Sequence, residues 1–210
     1  MPFMTGQIFV ITGPSGVGKG TLCSMLLTSE PGFVSSISAT IRPMRPGEQE
    51  GVHYYFKSRA EFQAMIDHDA SQADATRHQL LEWAVYNGHY YGTPRQAVEN
   101  ALDQELNVLL EIETQGAKCV KQKFPSAHQI FIAPPDMAEL ERRLRGRGTD
   151  GEADIRNRLH IAQQEMAQAN DFDHIVINHN LADSLAEIRR ITQASHTAGT
   201  RHDASGKLLS

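Results

Sequence analysis

Ile8-Phe-Val-Ile-Thr-Gly13-Pro-Ser-Gly-Val-Gly18-Lys19-Gly20-Thr21 is the stretch on which the reading of this chain turns. An apolar run predicts a buried strand, the glycines predict a tight turn, and Lys19 opens a helix whose apolar side is carried by Leu22, Met25 and Leu26. Side chains would obstruct a polyanion at such a turn. Gly13, Gly16 and Gly18 let backbone N–H groups close around phosphate oxygens, and the new helix adds its positive dipole end. Lys19 adds a full charge. The segment Gly13, Pro14, Ser15, Gly16, Val17, Gly18, Lys19, Gly20 and Thr21 therefore reads as a cradle for the phosphates of a nucleoside triphosphate. A strand–turn–helix corner merely rich in glycine is the alternative, and the flanking apolar strand and periodic helix weigh against it.

The spacing fits G-x-x-x-x-G-K-[ST] from Gly13 to Lys19, with one departure. Gly20 fills the slot of the Ser or Thr that touches magnesium. Thr21, one place later, is expected to take over part of that role, directly or through water.

Working outward, 210 residues suit one core with excursions, and 40% hydrophobic with 21% charged residues describes an ordinary globule. A net charge of −5 argues against a general nucleic-acid or anionic-membrane binder. Cys23 and Cys119 lie far apart, which excludes a disulfide framework and suits a reduced, cytoplasmic compartment. The first residues lack a basic leader, no apolar run reaches membrane-spanning length, and the ten histidines form no zinc pattern.

Strands are expected over 7–12, 107–112, 128–133 and 174–177, and helices over 19–27, 94–104, 136–145, 152–169 and 181–195. This alternation predicts an α/β fold with a mostly parallel sheet. Asp136 with Glu139, and Ser58 with Glu61, have capping-box spacing. Residues 35–91 break the pattern. Pro46-Gly47 and Asn87-Gly88 signal turns there, the latter a hairpin, so an inserted, partly antiparallel subdomain is expected. Residues 142–158 carry six arginines and form a second excursion. The polar stretch 67–79 is expected to loop, and the aperiodic tail 196–210 to be mobile.

A second anion site is legible in Ser38-Ala-Thr-Ile-Arg42-Pro-Met-Arg45-Pro-Gly-Glu, where two arginines share one proline-stiffened loop. Such a pair can grip a phosphate through forked hydrogen bonds, and Tyr54 and Tyr91 can add hydroxyl donors. Glu82 and Glu113 adjoin strong strand patterns, where a charge needs a partner.

These blocks, with Leu81-Glu82-Trp-Ala, Tyr90-Tyr91-Gly-Thr93, Glu111-Ile-Glu113-x-Gln-Gly and Arg143-Leu-Arg-Gly-Arg147-Gly-Thr, closely resemble the guanylate kinase family in order and spacing from about residue 7 to residue 191. The resemblance implies a phosphate-loop NTPase-type parallel sheet flanked by helices: a core of 1–34, 92–141 and 159–195, a GMP-binding subdomain of 35–91, and an arginine-rich lid of 142–158. It implies that Ser38, Arg42, Arg45, Tyr54 and Tyr91 hold the phosphate of GMP, and that Glu82, Thr93 and Glu113 read its base. Arg143, Arg147 and Arg158 would close on the transferring group beside Lys19 and Arg42, with Mg2+ accompanying ATP. Asn178 matches a position that contacts adenine in the family. ATP and GMP are the implied partners, with no nucleic acid, membrane or obligatory protein partner.

Elementary chemistry supports the base assignment. Guanine offers adjacent donors at N1 and N2 that one carboxylate can accept together, and a site built on such bonds rejects a base lacking them by about 10⁴–10⁵. A phosphate monoester acceptor is already anionic, so alignment and cationic stabilisation suffice without a general base.

Several positions keep two readings. Thr93 before Pro94 could be a helix N-cap. Glu111 could hold magnesium through water or pair with a nearby cation. Tyr54 and Tyr91 could mainly pack. Arg142, Arg145 and Arg156 read as a solvated helix face. The chain also departs from the family pattern in its longer 67–79 segment, in Glu113 where aspartate is common, and in His179-Asn180 where an acidic pair is common. A sugar bisphosphate acceptor, or a non-catalytic phosphopeptide-binding scaffold, are the competing functions; the first gives Glu82, Thr93 and Glu113 nothing to bind, and the second sits poorly with Lys19 and the arginines.

Overall fold

The computed structural model describes residues 6–86, 88–146 and 151–199. In chain order these form β1 (Ile8–Thr12), α1 (Lys19–Ser29), β2 (Phe33–Ser35), β3 (Ala39–Thr40), β4 (Tyr55–Phe56), α2 (Arg59–Ser71), β5 (Leu80–Tyr86), β6 (His89–Pro94), α3 (Arg95–Asp103), β7 (Asn107–Glu111), α4 (Thr114–Lys123), β8 (His128–Ala133), α5 (Met137–Gly146), α6 (Glu152–Met166), β9 (His174–Ile177) and α7 (Leu181–Gly199).

Five strands make a parallel sheet in the order β2-β7-β1-β8-β9. Its central strand β1 is apolar throughout because both of its faces are covered. Phe9 and Ile11 pack with Leu22 and Leu26 of α1 and with Ile188 and Ile191 of α7. Ile8 and Val10 pack on the opposite face with Val98 of α3 and with Ala117 and Val120 of α4. Full burial of one such large aliphatic or aromatic side chain contributes about 1.5–3 kcal/mol. From β1 the chain crosses to β2 on one side, while the connection from β7 leads to β8 on the other. The resulting crevice at the carboxyl ends of the strands is where ligands bind in sheets of this kind.

A second sheet, in the order β4-β3-β6-β5, is antiparallel except for the β3–β4 pair. Phe62 of α2 and Leu80 form its small core with Ala39. Tyr86 stands opposite His89, as a two-residue hairpin requires, and Gly88 has φ 76°. Asn87 lies outside the described residues. β6 continues to Pro94, so this sheet passes the expected subdomain boundary at 91 by three residues.

Four expectations are corrected. The polar segment 67–79 is largely ordered: α2 runs to Ser71, and a 3₁₀ turn spans Ala75–Arg77. Asp69, buried, accepts N–H bonds from Gln79 at 2.6 Å and Leu80 at 3.0 Å, so its carboxylate serves backbone donors at the start of β5. The last helix does not end at 195 but continues to Gly199, since Ser195 is buried and donates to the Ile191 carbonyl; residues 200–210 lie outside the described part. The Ser58–Glu61 capping box is complete, whereas at Asp136 only half forms. There the Glu139 carboxylate turns to Arg142 and Arg143 instead. Finally, Thr93 is no N-cap. It lies in β6, and Pro94 precedes the first residue of α3. Helix α4, with few apolar residues, was not anticipated from periodicity.

Candidate active site

The loop from β1 to α1 is shaped by close approaches that only glycine permits. A Cβ on Gly13 would lie 2.2 Å from the Ile132 carbonyl oxygen, and Gly18 adopts φ 102°. Helix α1 begins at Lys19 with no side-chain cap, so its first N–H groups face the crevice open for an anion. Lys19 is nearly buried, and its Nζ donates to the carbonyls of Gly13 and, at 3.1 Å, Pro14. The ammonium thus rests on the loop it serves, held by neutral acceptors that a phosphate can replace.

Across the crevice, the second sheet presents the other half. Successive residues of β5 point to opposite faces: Glu82 and Ala84 line the crevice, while Trp83 and Val85 are exposed on the outside. Glu82 is 6% exposed, and Thr93 Oγ1 donates to its Oε1 at 2.7 Å. Burial raises the Glu82 pKa, and the Thr93 bonds and the charge of Lys123 work against that rise. Its second oxygen is accommodated by Gly116, where a Cβ would approach to 2.6 Å.

Arg42 is buried, with Nη2 2.6 Å from Glu48 Oε1 and Nη1 donating to the Pro43 carbonyl at 2.7 Å. Glu48 also accepts the Arg45 backbone N–H at 2.7 Å. One carboxylate therefore organises both arginines of the loop; the Arg42 bond lowers the Glu48 pKa and raises that of Arg42. Tyr54 lies beneath the Arg42 guanidinium, 5.3 Å from ring centroid to Cζ, and meets Tyr91 edge-on at 6.0 Å.

The two halves enclose a cleft of about 620 Å³ that brings together Pro14, Ser15, Gly16, Gly18, Lys19, Gly20, Thr21, Ser38, Arg42, Arg45, Tyr54, Glu82, Tyr91, Glu111 and Glu113. Thr93 stands behind Glu82 rather than on the cleft wall. Arg143, Arg158 and Asn178 stand behind the phosphate loop. Arg158 Nη1 donates to Ser15 Oγ at 2.8 Å. Arg143 donates to Glu139 at 2.7 Å, to the Asn178 carbonyl at 2.8 Å and to the Val17 carbonyl at 3.4 Å. Arg147 lies outside the described residues. Arg142 is exposed, as expected, and Arg145 joins Glu141 and Glu152 on the surface.

Glu111 and Glu113 lie on the floor of the cleft. Glu111 opens onto the cleft, and the Gly20 position faces its carboxylate, with a Cβ there lying 3.5 Å from Oε1. Its pKa is raised by the protein around it, against the pull of Lys19. Cys23 hydrogen-bonds to Glu111, and burial pushes its thiol pKa up so that it stays protonated. Glu113 precedes α4, and Glu165 of α6 reaches it with a hydrogen bond. Burial, the Glu113 charge and that bond push Glu165 up to about 7, with Lys19 opposing.

Glu48, Gly116 and Glu165 were missed as functional positions. Glu48 and Gly116 stand in motif blocks quoted above, but their roles emerge only from contacts. Glu165 carries no sequence signal beyond an acidic residue on a helix. As for a divalent cation, no group of three or more metal-ligating side chains occurs among the described residues. The Glu111 carboxylate and Thr21 hydroxyl beside the loop are hard oxygen donors, which suits a hydrated Mg2+ held mainly by nucleotide phosphates rather than a protein cage.

The arrangement can hold two anions end to end, a polyphosphate on the loop and a monophosphate on the arginines, with a carboxylate–hydroxyl pair beyond the second. Comparison with known proteins agrees with it. The guanylate kinase family model matches residues 5–195. The guanylate kinase of Synechococcus sp. (strain JA-3-3Ab) is 48% identical over 190 residues, covering 90% of this chain and 83% of that protein. That of Synechocystis sp. is 50% identical over 186 residues, covering 89% and 93%. Among solved structures, the guanylate kinase from Anaplasma phagocytophilum superposes with a TM-score of 0.69 at 30% identity, covering 91% of this chain and 87% of that one.

Proposed function

The chain belongs to the guanylate kinase family, and we propose that the cleft residues described above carry that family's reaction, each in a definite role. The protein is an ATP:GMP phosphotransferase, moving the γ-phosphoryl group of ATP to GMP to give ADP and GDP. It acts in purine nucleotide metabolism, and no helix among the described residues is long and apolar enough to cross a membrane.

Residues Gly13 to Thr21 bind the polyphosphate of ATP, and Lys19 leaves its carbonyl rests to meet the outer phosphates. Ser38, Arg42, Arg45, Tyr54 and Tyr91 bind the GMP phosphate. Glu82, held by Thr93, accepts guanine N1–H and N2–H, and Glu113 assists from the end of β7. Arg143, Arg147 and Arg158 stabilise the charge that spreads over the transferring group. Guanylate kinases generally use Mg2+ with ATP; Thr21 and Glu111 would hold its water shell, and the ion would neutralise phosphate charge when bound. No residue needs to take a proton from the acceptor oxygen. Two anions must nevertheless approach each other, and the cations on both sides of the cleft offset that repulsion. A cytoplasmic location, where both nucleotides are found, completes the reading.

The observation that carries this reading is the buried Glu82 carboxylate, bonded at 2.7 Å to Thr93 and turned toward the phosphate loop. Adenine, with an acceptor at N1, would set a lone pair against it. Glu82→Gln replaces an acceptor by an amide whose NH₂ opposes guanine donors. The KM for GMP should rise about 10²-fold, with the KM for ATP nearly unchanged, in steady-state assays. An unchanged KM for GMP would remove Glu82 from base recognition.

A further inference from the structure

Strand β5 changes faces just before Glu82. On a regular strand, residues two apart share a face. Leu80 packs with Phe62 of α2, whereas Glu82 stands on the cleft and beside Gly116 of α4. Between them the ladder slips. Leu80 pairs with Pro94 and Glu82 with Thr93, which leaves Leu81 as the extra residue of a β-bulge. Leu81 is fully buried and packs with Val98 of α3 and with Ala117 and Val120 of α4. The bulge thus turns Glu82 from the α2 side to the side of the cleft.

A bulge interrupts the ladder, so the backbone groups beside it need other partners. Pro94, opposite Leu80, has no N–H to give. Lys123, the last residue of α4, donates from Nζ to the Leu80 carbonyl at 2.9 Å. The Leu80 N–H donates to Asp69 Oδ2 at 3.0 Å, and the Gln79 N–H to Asp69 Oδ1 at 2.6 Å. Arg95 closes the group from α3. Its backbone N–H donates to the Gln79 carbonyl at 2.8 Å, and its Nη2 donates to the Ala75 carbonyl at 2.8 Å.

We propose that Lys123 and Asp69 are positioning residues of the base site: they satisfy the backbone of β5 at its bulge and thereby set the direction of Glu82. The residue types follow from the contacts. The Leu80 carbonyl needs a donor reaching over from α4, and the long lysine stem delivers one. Two consecutive N–H groups need an acceptor each, which the two oxygens of a carboxylate offer; an amide would set its NH₂ against one of them. Asp69 belongs to the polar 67–79 segment, so the order of that segment has a consequence at the cleft. It fixes β5 two residues before the group that meets the base.

The proposal rests on Glu82 as the reader of guanine, and its test separates the two. Inosine monophosphate (IMP) keeps the N1 donor of guanine and lacks the N2 amino group. The preference for GMP over IMP in kcat/KM therefore reads how well the Glu82 carboxylate is aimed at both donors. Initial rates with GMP and IMP, the KM for ATP, and stability in denaturant titrations are measured for the wild-type protein, Lys123→Met, Asp69→Asn and Glu82→Gln. Lys123→Met keeps the stem and removes the donor. It should lower the preference for GMP about tenfold and leave the KM for ATP unchanged. Asp69→Asn, which keeps one of two acceptors, should lower the preference about threefold. Should Lys123→Met fail to fold, the Asp69→Asn result decides. A wild-type preference with only stability lost would overturn the proposal, and so would a rise in the KM for ATP matching that for GMP. If Glu82→Gln also kept the wild-type preference, the reading of guanine by Glu82 would itself fall.

Discussion

At Arg42 the guanidinium is held before any phosphate arrives. Glu48 grips it at 2.6 Å and caps the Arg45 N–H at 2.7 Å, so a carboxylate sits inside an anion-binding loop. In the proposed role, the repulsion this adds toward GMP is offset by order: a long side chain fixed in advance loses less rotamer freedom on binding. Glu48→Gln keeps the size and loses the charge-assisted grip. The KM for GMP should then rise, about tenfold, with kcat less affected, in initial-rate measurements at varied GMP. A fall in KM would mean that Glu48 acts mainly as a repulsive charge. The places of Lys19 and Glu82 on the cleft were legible from the chain. Lys19 follows from its loop, and Glu82 from a charge placed within an apolar strand. Residues that act on other residues were not, because their signal is a contact. Gly116 leaves room for a carboxylate thirty-four positions earlier in the chain, and no local pattern carries that information.

Among the elements, α6 connects the two proposed substrate sites. Arg158 near its middle meets Ser15 of the phosphate loop, and Glu165 near its end meets Glu113 on the cleft floor. The Glu165 proton is part of that second contact. Its pKa, up to about 7 in the folded protein against an ordinary 4.5, gives a definite sign. The stabilisation is fully present below pH 4.5 or so, declines as pH rises toward 7, and is gone above it. Glu165→Gln keeps a donor toward Glu113 without a proton to lose. In denaturant titrations, the wild-type protein should therefore lose more stability than Glu165→Gln between pH 5 and pH 8. Equal losses would contradict a shared proton. Sheet strands were legible at this scale: 128–133 and 174–177 coincide with β8 and β9, since an apolar run closed by turn residues has few alternatives. Helices α2 and α4 were not. Their buried sets are small, Phe62 and Asp69 in one, and Thr114, Gly116, Ala117 and Val120 in the other, too sparse or too polar to show a helical period.

For the whole molecule, the division of labour follows from the two sheets. The parallel sheet carries the glycine-rich loop at the carboxyl end of β1, and the mostly antiparallel sheet carries Glu82, the proposed base reader, on the inner face of β5. The distinction was legible in advance because alternating strands and helices demand a parallel sheet, while short strands with a two-residue turn demand an antiparallel one. The extent of the insertion was harder to place. The polar residues of 67–79 suggested a loop, whereas they cap α2 and tie it to β5 through Asp69. The central claim is that the second sheet selects a guanine nucleotide for phosphorylation from the first. The most direct test is ADP release from ATP and Mg2+ by the purified protein with GMP, AMP, dTMP or ribose 1,5-bisphosphate as acceptor. Turnover should be fast with GMP and lower by several orders of magnitude with the other three. Comparable turnover with AMP or the sugar bisphosphate, or none with GMP, would contradict the account.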